Sequence, residues 1–328
     1  MAALHENGPV PGGLSPGNRQ QGDPVLRIAV ASGKGGTGKT TVAVNLAALA
    51  AEAGQSVVFA DCDVEEPNAH VFLPTVWERE AKALLPIPRF LQERCLGESC
   101  RMCLDLCRFK ALIRMADEIM LFPELCHGCG LCALACPAGA VAGDARELGV
   151  VREGMSGAIR MVGGLSRVGE AMSSPLIKAV KQSVADAPFQ LWDCPPGTAC
   201  PVIAAVSGAD FVILVAEPTA FGLHDLTLAV GLVRALGLPH GVVINRDGMG
   251  DDRVLSYLER EGIALLGRIP GSLEAARDSA RGGLLARTFP EIRAVLEGVL
   301  ETVREAVRAK ARDRSLAQAG QGDVSCAR

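Results

Sequence analysis

Residues 31–41 read ASGKGGTGKTT, and within them Gly33–Thr40, GKGGTGKT, fits the spacing G-x-x-x-x-G-K-[ST]. The flanks give the spacing its meaning. LRIAVA (26–31) is a short apolar run that reads as a buried strand. TTVAVNLAALAAEAG (40–54) reads as a helix closed by Gly54, and VVFADCD (57–63) as a second strand ending in acids. Strand, helix and strand at this spacing favour a parallel sheet. Glycines let backbone N–H groups turn inward around a phosphate, and the helix start adds positive potential there. Gly33, Lys34, Gly35, Gly36, Thr37, Gly38, Lys39, Thr40 and Thr41 are therefore the candidate nucleotide-binding residues. Lys39 is expected to touch the β- and γ-phosphates of ATP, and Thr40 to hold Mg²⁺.

Outward from that loop the alternation continues, with one interruption. FQLWD (189–193), FVILVA (211–216), GVVIN (241–245) and ALLGRIP (264–270) read as further strands. Helical patterns lie between them, as at 221–236, and a last helix is expected from Pro290 to about Lys310. The fold class is thus α/β, a doubly wound and mostly parallel sheet. Between about Trp77 and Ala142 the periodicity fails and turns dominate. The expected organisation is a tail over 1–24, a discontinuous ATPase domain over 25–76 and 143–310, an insertion over 77–142, and a second tail over 311–328.

Eight of the chain's twelve cysteines fall in that insertion. Cys126, Cys129, Cys132 and Cys136, followed by Pro137, form C-x2-C-x2-C-x3-C-P. One loop of this kind wraps three corners of an iron–sulfur cubane, and its fourth cysteine reaches the other cluster when two motifs are paired. The first quartet departs from the rule: Cys95, Cys100, Cys103 and Cys107 are spaced C-x4-C-x2-C-x3-C. The crossed pattern gives cluster 1 to Cys95, Cys100, Cys103 and Cys136, and cluster 2 to Cys107, Cys126, Cys129 and Cys132. Two [4Fe–4S] clusters in a ferredoxin-like α+β domain are the expected content. Structural zinc, which needs only four ligands, stays open as the alternative. Cys62 and Cys194 read as small buried residues, and Cys326 as a free thiol in the tail.

Lys34, a second lysine inside the phosphate loop, resembles the deviant Walker A of the MinD/ParA/nitrogenase-iron-protein class of ATPases. CHGCGLCALACPAGA, DCPPGTACPV, VAEPTAFGLHDL and VVINR extend the likeness to MinD-superfamily members with an inserted ferredoxin domain. The resemblance implies that Lys34 reaches across a dimer interface to the partner's nucleotide, so that Lys34, Lys39 and Asp63 carry the hydrolysis of ATP. It implies that Asp63 positions the attacking water and Asp61 lies near the Mg²⁺ waters. It implies that Asp193 binds Mg²⁺, Gly197 senses the γ-phosphate, and Asn245 reads the adenine edge. It also sets Cys200 where a cluster cysteine of nitrogenase iron protein would stand. No second cysteine occurs between Val150 and Ser173, so a packing role is expected for Cys200.

Hydrophobic residues make up 49% of the 328 and charged residues 21%, enough for a full core, with aromatics at only 4%. A net charge of -4 gives no general attraction to nucleic acid. No uninterrupted apolar run is long enough for a membrane span, and the first residues lack a signal-peptide pattern, so a cytoplasmic protein is expected. ETVREAVRAKARDRSL (301–316) is too charged for a stable membrane anchor. Expected partners are a second copy or a related ATPase, and a redox or iron–sulfur client. Two functions remain open: nucleotide-gated electron transfer or cluster delivery, and a MinD/ParA-like spatial organiser whose clusters sense redox state. Clusters that only brace the fold are a third possibility.

Overall fold

The computed structural model describes residues 25–184 and 187–321. In chain order it contains β1 (Leu26–Ala31), α1 (Lys39–Glu52), β2 (Val57–Asp61), α2 (Ala69–Phe72) and β3 (Val76–Phe90). Then come α3 (Met102–Leu106), β4 (Leu112–Met115), β5 (Glu118–Leu121), α4 (Leu131–Leu134), β6 (Val141–Ser156) and β7 (Ile159–Ser166). The remainder is α5 (Ser174–Ser183), β8 (Phe189–Asp193), α6 (Cys200–Val206), β9 (Phe211–Ala216), α7 (Ala220–Ala235), β10 (His240–Asp247), α8 (Arg253–Glu261), β11 (Leu265–Pro270), α9 (Leu273–Ala280), α10 (Leu285–Thr288) and α11 (Pro290–Gln321).

The main sheet runs β11-β10-β9-β1-β8-β2-β7-β6-β3. Pairing is parallel from β11 through β7, and antiparallel where β6 and β3 extend that edge. The central strands are apolar on both faces because helices cover both. In β1, Ile28 and Val30 join the core under α1 and α11, while Ala29 and Ala31 join the core under α5, α6 and α7. Strands sandwiched in this way read as continuous apolar runs, which is why they were legible. Asn45, fully buried in α1, donates from Nδ2 to Thr41 O at 2.7 Å and accepts from Ala286 N at 2.8 Å, tying α10 to α1.

The largest departure from expectation lies at 76–90, where the turn-rich reading fails. VWEREAKALLPIPRF forms the single strand β3, paired with β6 from Val76↔Met155 to Phe90↔Val141. Pro86 and Pro88 have no N–H to give to a ladder. They are tolerated because β3 is the outermost strand of the sheet, where a missing N–H can face away from the ladder. β6 pairs with β7 only from Gly149 to Ser156. Residues 84–90 and 141–147 therefore project as a two-stranded arm. The arm leaves at the Ser166 end of β7, and β7 is parallel to β2, so it rises on the side of the carboxyl ends of the parallel strands. At ~3.3 Å per residue its overhang is roughly 20 Å.

The arm carries a lobe over residues 91–140. Leu91 N to Ala140 O, 2.9 Å, closes the junction. The lobe holds the β4–β5 hairpin and the short helices α3 and α4. Gln92 behaves as an added strand residue: Nε2 donates to Ile119 O at 2.9 Å and Oε1 accepts from Ile119 N at 3.1 Å. Gly128 has φ 65°, and a Cβ there would fall 2.7 Å from Pro86 O, so this loop sits directly on the arm.

A buried ion pair braces the arm. Arg146 on β6 meets Glu170, in the segment after β7, through both guanidinium Nη atoms, and Glu170 also accepts from Met172 N at 3.0 Å. Burial raises the Glu170 carboxyl, but the Arg146 hydrogen bonds outweigh it and hold it below the usual carboxylate range. The pair's contribution is thus present above the ordinary carboxylate pKa of about 4.3 and is lost as pH falls through the lower folded value. Replacing Glu170 with alanine strands the buried Arg146 charge and is expected to cost about 3 kcal/mol. The expected result is a lowered thermal midpoint at pH 7, with a smaller difference from wild type near pH 3, measured by circular dichroism. An unchanged midpoint at pH 7 would exclude the brace.

The last helix also outruns its expected end near Lys310 and continues to Gln321, so 311–321 is helix rather than tail. The Ala, Arg, Leu and Gln of that stretch are strong helix formers, which favours continuing the helix already begun. The tail expected at 1–24, residues 322–328 and Cys326 lie outside the described residues.

Candidate nucleotide site and cysteine lobe

Gly38, with φ 91°, is the N-cap of α1, and Lys39 opens the helix. Any Cβ on Gly38 would stand 2.1 Å from Asn245 Nδ2, and one on Gly33 would stand 2.1 Å from Asp225 O. The loop is thus packed where glycine alone fits. Thr37 Oγ1 is buried with no hydrogen-bond partner among the described residues, a free polar atom beside the cradle. Thr41 lies in the first turn of α1, and Gly35 and Gly36 are exposed at the loop's tip.

Lys39 is buried, and its Nζ lies 2.7 Å from Asp193 Oδ1 and 3.8 Å from Asp63 Oδ2. Thr40 Oγ1 donates to Asp193 Oδ2 at 2.6 Å. Burial alone would lower the Lys39 pKa; the charges of Asp193, Asp63 and Asp61 outweigh it and hold the ammonium above its ordinary range. β2 and β8 set Asp61 beside Asp193 in register. Burial, followed by the Asp193 charge, pushes Asp61 up to about 8, and burial pushes Asp63 up to about 6. Asp61 also accepts from Asp63 N and Ala69 N, each at 3.2 Å. These carboxylates are crowded and call for a cation. Mg²⁺ fits the set formed by Thr40, Asp61 and Asp193, and a polyphosphate fits the loop and Lys39. Gly197, with φ 95°, donates from its N–H to Ser32 O at 3.0 Å, which seats the segment after β8 against the loop.

Lys34 is placed differently from the rest. Its Nζ lies 3.2 Å from Glu217 Oε2, and Glu217 also pairs with Arg246. Arg246 has φ 57° and donates from Nη2 to Gly36 O at 3.3 Å. Asn245 Nδ2 donates to Thr37 O at 2.7 Å, so its amide braces the loop in this structure. Glu217 and Arg246 were not singled out in the sequence. Their signal was position: each follows the last core residues of a parallel strand, at the carboxyl edge where ligands bind.

In the lobe, Cys95, Cys100, Cys103 and Cys136 line one cavity. Cys107, Cys126, Cys129 and Cys132 line a second. Despite its wider spacing, Cys95 stands with the first set. Among the described residues no group of three or more His, Cys, Asp or Glu is close enough to hold a metal ion. Cys62 and Cys194 are buried, as expected. Cys200 is exposed at the first position of α6, so the packing role expected for it is wrong: the helix turns its thiol outward. No described helix is long and apolar enough to cross a membrane.

Residues 28–285 match the CobQ/CobB/MinD/ParA nucleotide binding domain family. An uncharacterized protein of Methanocaldococcus jannaschii is 32% identical over 232 residues, 69% of this chain and 80% of that protein. The iron-sulfur cluster carrier protein of Pyrococcus abyssi is 26% identical over 283 residues, 78% of this chain and 77% of that protein. The septum site-determining protein MinD of Pyrococcus horikoshii, solved with Mg-ADP, superposes with a TM-score of 0.53 at 20% identity, covering 86% of this chain and 97% of that one. Because the match over residues 28–285 spans most of its length and the glycine loop and buried lysine fall within it, the chain belongs to the CobQ/CobB/MinD/ParA nucleotide-binding family.

Proposed function

We propose that this protein is a dimeric ATPase in which nucleotide state governs electron transfer through, or cluster delivery from, two [4Fe–4S] clusters held in the lobe. One observation carries the reading: the eight cysteines sort into two cavities, each combining three residues of one motif with the last of the other. Four thiols spread around a cavity suit a cubane, whose irons sit at separate corners. Cys95, Cys100, Cys103 and Cys136 would hold one cluster, and Cys107, Cys126, Cys129 and Cys132 the other. Bound there, the clusters would supply one-electron chemistry or be passed to a client protein.

The chain's own groups divide the ATPase work. Thr40, with Asp61 and Asp193, holds Mg²⁺. Lys39 exchanges Asp193 for the β- and γ-phosphates. Asp63 orients the attacking water, and Gly197 follows the γ-phosphate. Asn245 turns its amide to the adenine. Lys34 leaves Glu217 and crosses to the partner's phosphates, adding positive charge where the transition state needs it, as an arginine finger does.

The arm offers a route from nucleotide to cysteines. Space beside Gly163 is bordered by Asp61 Cβ and by the ring of Trp77, at 3.5 and 3.7 Å from where a Cβ would stand. Trp77 is near the base of β3, whose far end bears the lobe. In this reading a shift of Asp61 on Mg·ATP binding passes by way of Gly163, its neighbour in the sheet, to the strand that carries the cysteines.

Two tests follow. Oxygen-free purification with iron and sulfide counts, then electron paramagnetic resonance with and without ATP, should show two cubanes whose signals respond to nucleotide; zinc in place of iron would overturn the reading. Replacing Lys34 with alanine should leave ATP affinity within about threefold while hydrolysis falls about 1000-fold. Full hydrolysis by the Lys34→Ala protein would rule out its transfer to the partner site.

A further inference from the structure

The two cysteine cavities differ by one charge. The cavity of Cys95, Cys100, Cys103 and Cys136 is also lined by Arg114. The other has no Lys, Arg, Asp or Glu in its lining among the described residues; His127 faces it, stacked on Phe109 with ring centroids 3.7 Å apart. Arg114 lies on β4, two residues from the buried Leu112, so strand alternation turns it inward at a place that would ordinarily be apolar. Its Nη2 donates to Cys100 O at 2.5 Å. Its Nε and Nη1 are buried with no partner among the described residues. A guanidinium stays charged and carries five N–H donors, and burying two of its nitrogens unpaired is costly. Acceptors are missing from the picture, and they belong in the cavity that Arg114 lines.

We propose that Arg114 donates through Nε and Nη1 to the sulfurs of the cluster held by Cys95, Cys100, Cys103 and Cys136, and makes that cluster the more easily reduced of the two. The inference rests on the cluster assignment above. Reduction adds one negative charge to a cluster, and a fixed cation with N–H···S bonds stabilises the charged form, raising the potential. One electron from dithionite converts one [4Fe–4S]²⁺ to [4Fe–4S]⁺. It settles beside Arg114, and the cluster in the second cavity is reduced after it.

The experiment is a potentiometric titration of the oxygen-free, iron-loaded full chain, followed by electron paramagnetic resonance, with iron counted in every sample. Wild type should show two separated midpoints. Arg114→Gln should lower only the higher one and bring the two together. Two coincident wild-type midpoints, or an unchanged split in Arg114→Gln, would overturn the proposal while leaving the cluster assignment standing. Should Arg114→Gln lose half its iron, Arg114→Lys decides: it keeps the charge and should keep the split, and merged midpoints there overturn the proposal. Wild type without iron sinks the cluster assignment itself, and this inference with it.

Discussion

Replacing Lys39 with alanine should lower ATP hydrolysis by about 100-fold or more and abolish tight nucleotide binding. The reason lies in what surrounds the ammonium. Lys39 Nζ sits 2.7 Å from Asp193 and 3.8 Å from Asp63, and Asp61 stands beside Asp193 in the sheet. Without the lysine, those carboxylates confront the phosphates of ATP with only Mg²⁺ to offset them. Burial, followed by the Asp193 charge, already pushes Asp61 up to about 8. The variant should also be less stable without nucleotide, because it leaves Asp193 buried with its counter-charge removed. Phosphate release, a fluorescent nucleotide titration and a thermal melt check these three expectations. Iron content should stay at the wild-type level, because the cysteine cavities are built wholly from arm and lobe residues. Retained hydrolysis would mean that the loop is not the phosphate site.

The parallel core was legible because its strands are buried on both faces and punctuated by helices with clear ends; β8 and β9 fall on the ranges read from the sequence. The edge was not. β3 carries Glu, Arg and Lys along an exposed face and two prolines near its end, so neither alternation nor propensity marks it. β6 and β7 were also missed. Gly149, Gly154, Gly163 and Gly164 lie where a Cβ would meet a neighbouring strand or side chain within 2.1 to 3.7 Å, so glycine there reflects close packing rather than loop. Residues 33–41 stand out in the sequence because the phosphate-loop pattern they fit has a strict spacing. Glu217 and Arg246 do not, because a salt bridge fixes no spacing in sequence: Glu217 meets Lys34 from just past the carboxyl end of β9, the neighbouring parallel strand. Arg114 was hidden by a lobe too short for periodicity to declare its inner face.

Replacing Cys136 with serine gives the second large effect, and it separates the crossed arrangement from an uncrossed one. Cys136 belongs in sequence to the motif of Cys126, Cys129 and Cys132, yet it lines the cavity of Cys95, Cys100 and Cys103. Its Sγ already accepts a hydrogen bond from Ala140 N at 3.3 Å, and that residue closes the lobe onto the arm through Leu91. A serine oxygen is a harder and shorter ligand than a thiolate, so the cluster of that cavity should be lost or labile. About half of the iron should disappear, and the cluster that remains should be the one lacking Arg114. Cys107→Ser should remove the other half and leave the Arg114 site intact. The two variants thus exchange outcomes relative to an arrangement in which each motif serves its own cluster. The signal left in Cys136→Ser then discriminates between them. Sensitivity of that residual signal to a further Arg114→Gln change would show the cavities to be uncrossed, because the surviving cluster would then lie against the guanidinium.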